Sequence, residues 1–296
     1  MLAFLRNNIN KLLIFFSFIA VFSFADSIRK GFSNSCDFQW QPAKLFWDGI
    51  NHYSKFLNNG KYDFLCQGGE YAHLLNILYY PFTFFEWEEA RLLWLIINCF
   101  FVILIPLLIC KKFKLTKHKT IFLILIFITC HPTRVTLNYG QQSLMVMFFL
   151  ILPFIFKSNI SYFFSGISSV KYSSGYILFL NFLANKEYKK FFLATIPYLL
   201  GWLIYFSYTN SNPIVNFFEP IKWSLQQVYI RQVADIYTLG ELYFLGDDRI
   251  YKYSYIFLIF IVNFILIRKI NKLSDNFLKL SLILICPLIF FPHSIY

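Results

Sequence analysis

The stretch "RLLWLIINCFFVILIPLLICKKFKLTKHK", Arg91 to Lys119, joins an apolar run directly to the densest basic cluster in the chain. The run from Arg91 to Cys110 meets the roughly 20 residues an α-helix needs to cross a hydrocarbon core about 30 Å thick. The cluster "KKFKLTKHK" that follows gives the crossing a direction, because Lys and Arg collect on the cytoplasmic side of membrane helices. Working outward, 58% of the residues are hydrophobic, 22% aromatic and only 14% charged. A soluble fold of this size keeps a larger charged share, so the chain reads as an integral membrane protein. The net charge of +12 sits in short clusters beside apolar segments, and such clusters are topology signals rather than a nucleic-acid surface. Nucleic acid is therefore not an expected partner; the lipid bilayer is.

Two further basic groups, "NKEYKK" (Asn185 to Lys190) and "RKINK" (Arg268 to Lys272), set the rest of the topology. A consistent arrangement puts all three groups on the side of the N-terminus. Arg6, Lys11 and "LLIFFSFIAVFSFA" admit a signal peptide cleaved after Ala25, but the many later spans favour an uncleaved first helix over about residues 10–27. "YAHLLNILYYPFTFF", Tyr71 to Phe85, carries His73 and Pro81 and is too short to cross; were it a span, the Lys111–Lys119 cluster would flip outside. It reads as an interfacial or re-entrant helix. The chain then goes out over about 119–132 and in over 141–156, leaving "HPTRVTLNYGQQ" at the outer surface. "NISYFFSGISSVKYSSGYILFLNFLANKEYKK" is basic at both ends and broken around Lys171, which predicts two short half-helices meeting at that lysine. Spans over 189–208, 254–270 and 276–292 complete the reading. The predicted fold is one all-α polytopic domain over 1–296, a bundle of about 8–10 transmembrane or re-entrant helices. A long first outer loop covers about 28–90 and a second about 209–253.

This topology puts the acidic residues outside: of 15 carboxylates, only Glu187 and Asp275 fall clearly inside. A long loop after the first helix, with an amphipathic piece "QPAKLFWDGINHYSKFL", is where a bound substrate is expected. No CxxC pair, HExxH, Walker loop or GxGxxG is present, and no His, Asp or Glu spacing points to a metal, so neither metal nor cofactor is expected. Cys36 and Cys66 share the first outer loop, where a disulfide and two free thiols are both open readings.

Five pieces carry a family resemblance, in order. "CDFQWQPAKLFWDGINHY" resembles the start of the first outer loop in the polyprenol-phosphate-mannose-dependent mannosyltransferases of glycosyltransferase family 87, members of the GT-C superfamily. "YAHLLNILYYPFTFFEWEEARLLWLIIN" is similar to their Tyr-Pro segment leading into a Leu/Trp-rich helix. "LNYGQQSLMVMFFLIL" is similar to a Gly-Gln-x-x-Leu helix start, and "SGISSVKYSSGYILFLNFLANKEYKKF" to a small-residue helix, a lysine and a second helix. "CPLIFFPHSIY" resembles a Ser-Pro-His-Ser-Trp region near the end of such proteins. The chain departs from the pattern at Ser173, Ser174 and Ile295, and it stops where members continue, which fits a truncated or minimal member.

The resemblance implies inverting transfer of a sugar, mannose in that family, from a polyprenyl-phosphate donor to an acceptor at the outer face of the bacterial inner membrane. The acceptor class spans glycolipids, polysaccharides and proteins. A loop carboxylate takes the acceptor's proton. Asp37 is the candidate base, with Asp48 and Asp63 in reserve; a helix cap is the bland role for an Asp so placed. Lys171 and Arg134 are candidates for the donor phosphate, against snorkelling and interfacial anchoring respectively. Asn138 and Gln141 add donors at a helix start near Gly140, where Asn138 also reads as a plain cap. His131 and His293 are candidates for acceptor or phosphate contact, although an interfacial His more often simply hydrogen-bonds. The alternative function is a lipid-linked sugar flippase or other transporter, which explains many spans and Lys171 but has no need of a loop Asp.

Overall fold

A capping box starts the helix that contains the Arg91–Cys110 run: Glu86 lies in extended backbone ahead of the first turn, and its N–H donates to the Glu89 carboxylate at 3.4 Å. The helix covers Trp87–Phe113, about 40 Å at 1.5 Å per residue, and ends where Lys114 takes the left-handed conformation. Lys111 and Lys112 in its last turn complement the partial negative charge there. The computed structural model describes residues 2–53, 71–215, 217, 219–220 and 249–290.

In chain order the described helices are α1 (Leu2–Ser33), α2 (Trp40–Trp47), α3 (Leu74–Leu78), α4 (Trp87–Phe113), α5 (Lys117–Thr129), α6 (His131–Tyr139) and α7 (Ser143–Ile155). They continue with α8 (Asn159–Ser165), α9 (Tyr172–Ala184), α10 (Tyr188–Thr209), α11 (Arg249–Ile270) and α12 (Asn276–Phe290). Two 3₁₀ turns, Tyr80–Phe84 and Gly166–Val170, lie between them, and no strand occurs among the described residues. Asn10–Ser33, α4 and α10 are long and apolar enough to cross a membrane. The pair α5 and α6 passes the same test together, bent by 50°, and shorter apolar helices lie over 143–155, 175–184 and 276–286. The chain is an all-α polytopic membrane protein.

The α5/α6 elbow corrects the reading of "HPTRVTLNYGQQ" as a surface loop. Pro132 has no N–H to give to Ile128, so the helix stops at Thr129, Cys130 turns extended, and a new helix starts with Pro132 in its first turn. Tyr71–Phe85 does not cross either. It is a five-residue helix followed by a five-residue 3₁₀ turn with Pro81 at its start. One face of it packs Leu74, Leu75, Tyr79 and Phe82 into the core, while Tyr80, Phe84 and Phe85 stay exposed.

The three basic turns meet at one end of the bundle. His118 is 3.2 Å from Asn10 of α1, and Lys112 donates to the Ile155 carbonyl at the end of α7 at 3.0 Å. Phe113 packs on Phe277 at 5.1 Å, and Asn271 donates to Asn181 at 3.0 Å, beside Asn185. From that end, α8 and its 3₁₀ turn climb about 20 Å, the same as the 13 residues of α7. Lys171 follows in extended backbone and α9 descends again. The hairpin closes tightly, since a Cβ on Gly175 would sit 2.5 Å from Ser169 Cα. The half-helices expected around Lys171 thus form a helical hairpin whose tip lies at the far end from the basic turns.

Candidate active site

The site forms where α6 ends. Gly140 adopts the left-handed conformation (φ +68°, ψ 28°), which a residue with a Cβ takes at a cost, and Gln141 N–H returns to Thr136 O at 3.0 Å. The last carbonyls of a helix need partners from outside it. Here Asn138 O accepts from Ser35 N–H at 3.1 Å and Tyr139 O accepts from Asp37 N–H at 2.8 Å. Gln142 Nε2 donates to Asp37 O at 3.1 Å, so the Asp37 backbone is held on both sides. Trp94 Nε1 donates to Gly140 O at 2.7 Å and fixes the turn to α4. Phe38, fully buried, lies parallel to Trp94 at 5.6 Å and meets Tyr79 and Phe82 edge-on or tilted, which anchors the loop from its other side.

Onto this frame the Asp37 carboxylate is placed against Gln141, whose Nε2 donates to Oδ2 at 2.8 Å. Burial pushes the carboxyl above its ordinary value of 3.8, opposed by the Gln141 hydrogen bond and by the Lys171 charge. Lys171, at the hairpin tip, donates to Ser143 Oγ at 3.3 Å in the first turn of α7. Asp37, Gln141 and Lys171 are therefore brought together. Tyr79 borders them: burial first, and the Asp37 charge also, holds its phenol well above 10, so it stays protonated.

Other candidates fall elsewhere. Asn138 lies in the last turn of α6, not at the start of α7, whose N-cap is Gln142. With its amide nitrogen turned toward them, Asn138 donates to Arg134 O at 3.1 Å and Ser27 O at 3.2 Å, which ties α6 to α1. Arg134 faces Asp26 of α1 at 3.9 Å. His131 opens α6 at the elbow and is exposed. Asp48 is exposed at the end of α2. Asp63, Cys66 and His293 lie outside the described residues.

Sequence reading passed over a second buried polar group. His52, Tyr53, His73 and Tyr205 are each no more than 1% exposed. Tyr205 Oη lies 3.1 Å from His52 Nδ1 and donates to Asn51 Oδ1 at 3.1 Å, while Asn51 donates to Glu219 at 3.0 Å. Burial, then the neighbouring His73, holds the His52 imidazole well below 6.5. Ala72 N–H donates to Val170 O at 2.8 Å, so this cluster is stitched to the residue before Lys171. Tyr79 and Gln142 were also passed over, although both sit inside quoted pieces of the family resemblance, "YAHLLNILYYPFTFF" and "LNYGQQS".

Among known proteins, no curated protein and no solved structure matches the chain. A family model described as glycosyltransferase family 87 matches residues 73–292. That match contains Gln141, Ser143 and Lys171, while Asp37 precedes it and owes its place in the site to the hydrogen bonds above. Covering well over half of the 296 residues, the match shows that this multi-pass membrane protein belongs to glycosyltransferase family 87.

Proposed function

We propose that the protein transfers a mannosyl residue, with inversion, from a polyprenyl-phosphate donor to an acceptor hydroxyl at the outer face of the cell membrane. The acceptor is a glycolipid, a polysaccharide or another hydroxyl-bearing molecule. The observation that carries this reading is the meeting of Asp37, Gln141 and Lys171 at the end of the bundle opposite the basic turns. Asp37 accepts the proton of the acceptor hydroxyl as that oxygen attacks the anomeric carbon. A carboxylate lifted above its ordinary value by burial is a stronger base than a solvated one. Gln141 keeps one carboxylate oxygen oriented and leaves the other for the proton.

On the departing side, the bond from the anomeric carbon to the phosphate oxygen breaks, and the phosphate takes the electron pair. Lys171 and the N–H groups that open α7 at Ser143 supply positive charge where that oxygen leaves. The experiment is transfer by purified protein from radiolabelled polyprenyl-phosphate mannose to a lipid or saccharide acceptor. Asp37→Asn keeps the size of the side chain and most of its hydrogen bonding and removes the base, so transfer falls by about 10²–10⁴-fold with donor binding retained. Normal transfer by Asp37→Asn refutes the assignment. Movement of intact lipid-linked sugar across the bilayer, with no transfer, points to a flippase.

A further inference from the structure

Between α1 and the α5/α6 elbow lies a groove of about 610 Å³ lined by Phe18, Ile19, Phe22, Ser23, Thr129 and Arg134. Its α1 wall faces the bilayer: Phe18 is 62% and Phe22 73% exposed on a helix apolar enough to cross it. Arg134 is the one cation among its described lining residues. The Arg134 Nε–H and the Ser23 hydroxyl oxygen are buried and have no hydrogen-bond partner among the described residues. A guanidinium N–H left unmatched beside hydrocarbon is costly, and such groups are retained where an anion meets them. Asp26 does not meet this one, being 3.9 Å from Arg134 Nη2 and already bonded to Arg29 at 2.9 Å and Lys30 at 2.8 Å. Among the described residues three cations, Arg29, Lys30 and Arg134, therefore lie within 4 Å of the one Asp26 carboxylate.

We infer that the elbow groove is a binding site for an anionic phospholipid of the bilayer, with its phosphate on Arg134 and one acyl chain along Phe18, Ile19 and Phe22. The fork of guanidinium N–H groups suits a phosphate, and the excess positive charge selects anionic over zwitterionic headgroups. The lipid would brace α6 against α1, next to the Asn138 amide that spans the same two helices. The site does not depend on the proposed reaction.

The test is native mass spectrometry of the full chain released from nanodiscs of phosphatidylcholine mixed with phosphatidylglycerol. One phosphatidylglycerol is expected to stay bound to the wild type, and Arg134→Gln is expected to weaken its retention about 10- to 100-fold, the worth of hydrogen bonds to a charged group. Arg29→Gln, at a side chain 73% exposed, should retain it. Equal retention of the two lipids, or undiminished retention in Arg134→Gln, overturns the inference. So does displacement of bound phosphatidylglycerol by stoichiometric polyprenyl phosphate, which would give the groove to the sugar carrier. If Arg134→Gln fails to fold, Arg134→Lys and the wild-type preference between the two lipids decide the matter.

Discussion

Replacing Gly140 by Ala tests whether the turn after α6 positions the base. Gly140 has φ +68°, and a Cβ there would lie 3.1 Å from both Phe38 Cβ and Ser35 Cβ. The left-handed conformation costs a residue with a Cβ about 1–2 kcal/mol. The crowding adds about 1–3 kcal/mol, because Phe38 is pinned among Tyr79, Phe82 and Trp94 and the loop at Ser35 has to give. Gly49 is the control: φ is +78° and no described residue lies within 4 Å of its Cβ position, so among the described residues Gly49→Ala carries the conformational cost alone. Thermal unfolding in detergent should show Gly140→Ala to be the less stable of the two, with both folded. The displaced loop carries Asp37, whose N–H and carboxylate are tied to Tyr139 and Gln141 on either side of Gly140. Misplacement of a catalytic group by about 1 Å can cost 10²-fold, so a shift of a few tenths should lower kcat by about tenfold. Gly49→Ala should transfer sugar normally. Equal transfer rates in the two variants would refute the claim that this turn holds the base.

Three other expectations follow from the same geometry. Transfer should fall on the acid side as Asp37 is protonated, with a midpoint above 3.8 because burial raises its pKa; Gln141→Leu removes a hydrogen bond that opposes that rise, so the acid limb should move to higher pH. A pH–rate profile checks it, and a limb that stays put or moves down counts against Asp37 as the titrating group. Lys171→Met should raise KM for the phosphate donor and also move the acid limb up, since the Lys171 charge lowers the Asp37 pKa. No change in either measurement returns Lys171 to snorkelling. Epitope tags in the turns at 114–116, 185–187 and 271–274 should all be shielded in intact cells, and a tag at Gly49 accessible; tags on opposite sides would break the shared basic end.

What the sequence disclosed depended on how local the signal was. The hairpin at Lys171 was legible because apolar halves flanking a Lys-Tyr-Ser-Ser-Gly interruption, with basic residues at both ends, leave a single span inconsistent with the charge rule. Helix α6 was not legible, since its buried face is built partly from Thr133 and Thr136, which hydropathy does not mark, and its polar start after Cys130 reads as a loop. Asn138 looked like a cap because its true partner, the Ser27 carbonyl, is supplied by a helix more than a hundred residues upstream. The His52–Tyr205 contact joins residues 153 apart and has no local signature. Asp37 fell between these cases. Its loop and residue type were visible, but its partner Gln141 is 104 residues away and only the fold supplies it.

The inverting transfer proposed above asks for a base and a phosphate-binding cation on opposite sides of the sugar. Inversion requires the attacking oxygen and the departing phosphate on opposite faces of the anomeric carbon, so the base and the phosphate-binding cation have to stand apart with the sugar between them; inverting glycosidases keep their two carboxyl groups about 6.5–9.5 Å apart for a comparable reason. A lysine in contact with Asp37 would hold the carboxylate low and occupy the space the sugar needs. Here Lys171 donates a hydrogen bond to Ser143 and acts on Asp37 through its charge, while Gln141, a neutral donor, orients the carboxylate. Two different helices set the two halves: the end of α6 holds Asp37, the proposed base, by its backbone, and the start of α7 receives the lysine. The two helices are joined by Gly140, Gln141 and Gln142, so this short turn sets the end of α6 beside the start of α7.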